Sequence, residues 1–198
     1  YGQPYEDQRE FTEETYGFVD PLSPRSCYPE GKKAAETMCA SFRQQYGLEA
    51  RIARLAHTYG PGMSIDDGRV QADFIRDVVN NRDIVMLSEG KPIRTYTYVG
   101  DAVSAMFRIL LDSDDLAYNI ASEASTVSIR QLAETLIEAF PERGLKLVID
   151  IPAPSGNTGC APFTLGILNS DKLRGLGWKE RYDLKTGLKR TVEYIETR

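Results

Sequence analysis

Tyr28 and Lys32 stand four residues apart in the run Pro24-Arg25-Ser26-Cys27-Tyr28-Pro29-Glu30-Gly31-Lys32, at the start of a segment patterned as an amphipathic helix. On a helix, positions i and i+4 share a face. An ammonium held beside a phenol favours the phenolate, so a group that ordinarily ionises near pH 10 can serve as a base closer to neutrality. The spacing by itself carries little weight, because the chain has 11 tyrosines. An exposed Tyr/Lys pair on a surface helix is the alternative.

The elements that must position this pair read as a mixed α/β chain. Residues 1–23 are polar, acidic and aromatic, broken by Pro4 and Pro21, and read as loop. A helix is expected from Ser26, with Pro29 harmless in its first turn and Gly47 as its stop. Ala34, Ala35, Met38, Cys39 and Phe42 form its apolar stripe. A β-like stretch at 48–55 leads to the turn 57–62. A second helix spans 70–80, and strand-like runs at 84–87 and 93–99 flank the turn 89–92. Within the latter, Tyr96 and Tyr98 alternate with Thr95 and Thr97, so only one set can face a site. Asp101 is read as the cap of a third helix, and 117–121 as a strand. Ser128 opens a further helix, and 146–151 is strand-like. A loop at 152–166 precedes two C-terminal helices at 170–176 and 184–196, against which Trp178 is expected to pack.

Composition narrows the function classes. A net charge of −5 without a basic run argues against general nucleic-acid binding. No apolar stretch approaches the roughly 20 residues of a membrane span, and no leader is read, so no membrane partner is expected. Cys27, Cys39 and Cys160 form neither a disulfide framework nor a zinc pattern, which makes a cytoplasmic location the expectation. His57 is the single histidine, which excludes a multi-histidine metal site within these residues.

In chain order, Tyr1-Gly2, Tyr28 with Lys32, Arg51-Ile-Ala-Arg-Leu55, Thr58-Tyr59-Gly60-Pro61, Arg94-Thr-Tyr-Thr-Tyr-Val-Gly-Asp101, Tyr118-Asn119-Ile120 and Leu176-Gly177-Trp178 are the landmarks. Together they resemble the C-terminal portion of the extended short-chain dehydrogenases, the NAD-dependent nucleotide-sugar epimerases, dehydratases and decarboxylases. Arg94 to Asp101 resembles the family's Arg-x-Phe-x-Tyr-Val-x-Asp. The segment around Tyr28, with Ala35-Glu36-Thr37-Met38 and Asp67-Gly68-Arg69-Val70, is most similar to UDP-glucuronate decarboxylases. The chain departs from them at His57 (usually Asn), at Gly62-Met63, at Pro92 and at 161–166. The family's Gly-x-x-Gly-x-x-Gly turn, which seats a pyrophosphate at a helix N-terminus, occurs nowhere in the chain.

The resemblance implies an α/β fold: the C-terminal part of a Rossmann-type enzyme with its smaller mixed α/β substrate-binding domain, the N-terminal dinucleotide-binding half being absent. Residues 1–60 would be a Rossmann remnant and 61–198 mainly substrate-binding, with returns to the Rossmann part over about 94–122. By the same resemblance, Tyr28 is the base and Lys32 holds it and the nicotinamide ribose of NAD. Arg94 meets the diphosphate of a nucleotide sugar, where a planar guanidinium suits phosphate oxygens. The alternative is a surface arginine in an edge strand. His57 could donate to substrate or phosphate, or be structural. Arg69 could reach the nucleotide, or be a surface charge at a helix start. The full-length enzyme is expected to be a homodimer through the Tyr28 helix, whose outer face would be Lys33, Thr37, Ser41 and Gln44. The 198 residues alone are expected to be inactive and not to bind NAD tightly. A non-catalytic nucleotide-sugar-binding or interaction module is the rival reading.

Overall fold

The computed structural model describes residues 1–151 and 165–198. Pro24–Ser26 form a 3₁₀ turn that runs into helix α1 (Cys27–Tyr46). Ser26 does not cap this helix with its side chain; its hydroxyl donates to the Asp20 carbonyl and pins the preceding loop. Gly47 ends α1 at φ 65°, in the left-handed conformation that glycine adopts without strain. Strands β1 (Ile52–Leu55) and β2 (His57–Tyr59) follow, separated by Ala56 alone, so the expected turn at 57–62 begins as a strand.

Helix α2 (Val70–Val79), β3 (Ile84–Met86), β4 (Ile93–Tyr98), α3 (Val99–Asp112) and β5 (Ala117–Ile120) come next. β6 (Thr126–Ser128) leads into α4 (Ile129–Glu138), and then come β7 (Leu147–Ile149), β8 (Leu165–Gly166), α5 (Asp171–Gly175) and α6 (Leu184–Glu196). The loop expected at 152–166 lies outside the described residues except for β8. A capping box opens α4, with the Ser128 hydroxyl accepting from the Gln131 amide and the Gln131 side chain accepting from Ser128 N–H.

The strands pair by packing partner rather than by sequence neighbour. β1 pairs with β5 in parallel, β3 with β7 in parallel, and β4 with β2 in parallel, with β6 antiparallel on its other side. β8 also pairs with β4, in parallel. Two apolar clusters result. The larger joins Tyr59, Tyr96 and Tyr98 to the inner faces of α2, α4 and α6. The smaller joins Ala102, Ala105 and Ile109 of α3 to Tyr118, Ile120, Leu173 and Trp178. Trp178 packs as expected and donates its indole N–H to the Ser104 hydroxyl at 3.0 Å.

Two expectations about local structure are corrected. Asp101 does not cap its own helix. It is 1% exposed in the first turn of α3, and its two carboxylate oxygens accept from the backbone N–H groups of Arg181 and Tyr182 at 3.0 and 3.1 Å. It thereby ties the start of α3 to the segment entering α6. The second correction concerns α1. Its apolar stripe is not buried: Met38 is 60% exposed and Phe42 45%, and none of the helix's 20 residues is buried. The face turned inward carries Lys33, Glu36, Ala40 and Arg43 instead. Of the expected outer face, Lys33 is half-buried while Thr37, Ser41 and Gln44 are exposed, and Lys33 and Thr37 line an open cleft against β1 and β5.

Candidate active site

The first turns of α1 bring Tyr28 and Lys32 onto one face. The Lys32 ammonium lies over the Tyr28 ring, 5.5 Å from its centroid, a cation–π distance. Tyr28 is 71% exposed, so its hydroxyl is accessible to a bound molecule. Both side chains line a cleft of about 620 Å³ whose far wall is the N-terminal segment: Tyr1, Gly2 and Gln3 with Phe18 and Val19. That wall is held by the Gln3–Phe18 bridge, in which each residue's N–H donates to the other's carbonyl at 2.7 Å.

The N-terminal segment is anchored by a polar network the sequence reading missed. Arg54, on β1, donates to both oxygens of Glu36 on α1 at 2.8 and 2.7 Å. Its remaining donor reaches the Tyr1 hydroxyl at 2.9 Å and the Glu13 carbonyl at 3.0 Å. The Tyr1 hydroxyl donates in turn to Asn119 on β5, whose own N–H donates to the Glu13 carboxylate. Burial opposes the charge on Arg54, but the Glu36 and Tyr1 hydrogen bonds prevail and hold the guanidinium more firmly protonated. Burial pushes the Tyr1 phenol up to about 12, so it remains a donor. The available signal was an arginine at an inward position of a short strand, a site that requires a partner.

His57, Arg94 and Tyr96 form a second group on the β2–β4 pair. His57 and Tyr96 are register partners, with ring centroids 5.6 Å apart. Arg94 is 7% exposed and donates to the Ile93 carbonyl at 2.7 Å. Gly166, its partner on β8, makes room for it, because a Cβ there would lie 2.7 Å from Arg94 Cδ. Burial, then the charge of Arg94 and, more weakly, that of Arg69, depress the His57 imidazole to about 4, against a hydrogen bond to the Thr95 backbone that favours its proton. His57 is therefore neutral at physiological pH. Arg69, just before α2, is ion-paired with Asp67 and about half exposed. Among the described residues, three buried side-chain polar atoms lack a partner: Gln71 Nε2, the Tyr96 hydroxyl and Ser122 Oγ.

The predicted residues thus fall into two groups, Tyr28 with Lys32 and His57 with Arg94, Arg69 contributing to the second electrostatically. The cleft lined by Tyr28 and Lys32 does not include His57, Arg69 or Arg94 in its lining. No helix among them is long and apolar enough to cross a membrane.

The model of the NAD dependent epimerase/dehydratase family matches residues 1–121. UDP-glucuronic acid decarboxylase 6 of Arabidopsis thaliana is 34% identical over 189 residues, 95% of this chain and 52% of that enzyme. UDP-glucuronic acid decarboxylase 1 of Xenopus tropicalis is 32% identical over 198 residues, 98% of this chain and 44% of that enzyme. Among solved structures, the UDP-glucose 4-epimerase of Thermotoga maritima with UDP-glucose superposes with a TM-score of 0.79 at 26% identity, covering 99% of this chain and 60% of that one. The Thermus thermophilus UDP-glucose 4-epimerase in complex with NAD has the same fold, with a TM-score of 0.75 at 24% identity, covering 98% of this chain and 60% of that one. The chain spans about half the length of the curated relatives it matches. From its landmark residues, its α/β topology and these matches, the chain belongs to the NAD-dependent epimerase/dehydratase family.

Proposed function

We propose that these residues carry the catalytic helix and much of the nucleotide-sugar-binding part of an enzyme that oxidises C4 of a nucleotide sugar and then epimerises, dehydrates or decarboxylates it. The observation that carries this reading is the Tyr28–Lys32 pair on one helix face, lining an open cleft. The pair also fits the ribose end of NAD, because the ammonium offers three donors to hydroxyl oxygens beside an accessible phenol. When bound, NAD supplies the hydride acceptor. Tyr28 takes the proton of the sugar hydroxyl, with the positive charge of Lys32 beside it. Arg94 and Arg69 engage the diphosphate, and His57, the register partner of Tyr96, contacts the substrate or a phosphate beside them.

The pyrophosphate cradle of NAD is not among these 198 residues, which hold no Gly-x-x-Gly-x-x-Gly turn. A dinucleotide-binding half outside these residues is supported by the sheet formed by β1 and β5. It has two strands, and the Ala53/Leu55 face of β1 stays exposed, whereas parallel sheets are normally covered on both faces. In this reading α1, β1, α3 and β5 belong to the Rossmann part, and the larger cluster around β4 belongs to the substrate domain. A homodimer through α1 is consistent with the exposed Met38, Phe42 and Tyr46. The missing cradle favours a second description for the 198 residues alone, a nucleotide-sugar-binding module without turnover.

The test uses the full-length protein with NAD and UDP-, dTDP-, GDP- and CDP-sugars. Tyr28→Phe is expected to lower turnover by about 10³-fold or more while nucleotide-sugar affinity is retained. Turnover within a few-fold of wild type would remove Tyr28 as the base.

A further inference from the structure

We infer that the Tyr96 hydroxyl, together with His57, reads a neutral hydroxyl group of the bound nucleotide sugar next to the diphosphate held by Arg94. This rests on the nucleotide-sugar reading above and extends it to a specificity-determining pair.

Tyr96 is 0% exposed, yet its hydroxyl has no hydrogen-bond partner. Buried polar groups are almost always paired, so this hydroxyl calls for a partner that the chain itself does not supply. The position of the orphan suggests what that is. Tyr96 shares a strand face with Arg94, two residues away on β4, and lies beside His57 on β2. His57 is only partly buried, so this end of the cluster reaches the surface.

The chemistry of the two side chains then selects a hydroxyl over a phosphate. Burial raises the Tyr96 phenol well above its ordinary range, which keeps it protonated and able to donate. In neutral His57 one ring nitrogen carries the proton and the other is an acceptor. A ligand O–H can accept from Tyr96 and donate to His57 at once. A phosphate oxygen offers no proton to His57, and Arg94 is the group suited to phosphate. The hydroxyl could belong to the ribose or to the sugar, and the experiment separates them.

The test compares wild type, Tyr96→Phe and Arg94→Ala in the full-length protein, titrated with UDP-glucuronate, UDP, and 2′-deoxy- and 3′-deoxy-UDP. Tyr96→Phe keeps the ring, and the family pattern has Phe at this position, so the variant is expected to fold and to melt no lower than wild type. It is expected to weaken UDP-glucuronate binding about five- to tenfold. If a sugar hydroxyl is read, UDP affinity is unchanged by the substitution. If a ribose hydroxyl is read, UDP weakens equally, and one deoxy analogue binds wild type and variant alike. Affinities all within twofold of wild type in Tyr96→Phe, while Arg94→Ala weakens them, would overturn this inference and leave the nucleotide-sugar reading standing. A lowered melting temperature with unchanged binding would likewise overturn it, marking a hydroxyl satisfied by structural water. Absence of any nucleotide binding by wild type would overturn both.

Discussion

Burying a neutral histidine beside two arginines couples His57 to the stability of the fold. Its imidazole is depressed from the ordinary 6.5 to about 4 by burial first and by Arg94 and Arg69 second. Between those values the unfolded chain binds the proton and the folded chain does not, so stability falls as pH drops through this window. Above pH 6.5 the contribution is fully present. The full loss amounts to about 3 kcal/mol. His57→Asn is expected to flatten this part of a urea-denaturation profile between pH 7 and pH 4, and an unchanged slope would refute the assignment. Residue type and order singled out Tyr28, Lys32 and Arg94 as candidates in the sequence. The neighbours that set the protonation of His57 were not legible there, because Arg94 and Tyr96 meet it only through parallel pairing of β2 with β4.

At the scale of elements, α1 is attached through polar contacts. The Arg54–Glu36 pair joins it to β1, and Arg43 reaches the carbonyl of Asp114 at the entry to β5. Glu36→Ala would leave the mostly buried Arg54 guanidinium without its carboxylate. A loss of about 2–3 kcal/mol is expected, together with faster amide exchange along α1. If exchange in α1 is unaffected, another contact anchors the helix. The span of α1 was readable from Pro29 and Gly47, since caps and breakers are local. The face it buries was not. Its apolar residues mark a face that could be buried, but only the position of Arg54 across the cleft decides that Glu36 turns inward.

At the scale of the whole molecule, an apolar surface is left uncovered around the two-stranded sheet. Val103, Met106, Phe107, Leu110 and Leu111 of α3 recur at helical spacing and are 38–74% exposed, and Met38, Phe42 and Tyr46 do the same on α1. Surfaces of this kind associate. The 198 residues expressed alone are expected to self-associate, and Phe107→Lys with Leu110→Lys to shift the population toward monomer in sedimentation equilibrium without lowering the melting temperature. A monomeric wild-type chain across the micromolar range would contradict this. By itself the sequence determined the family, the helices and the placing of Tyr28 and Lys32 on one helix face, because periodicity, caps and ordered motifs are written in neighbouring residues. The tertiary structure alone decided the strand partners, the inward polar face of α1, the role of Asp101 as an acceptor for Arg181 and Tyr182, and the unpaired hydroxyl of Tyr96. Each of these depends on residues far apart in the chain that meet only when the two clusters pack.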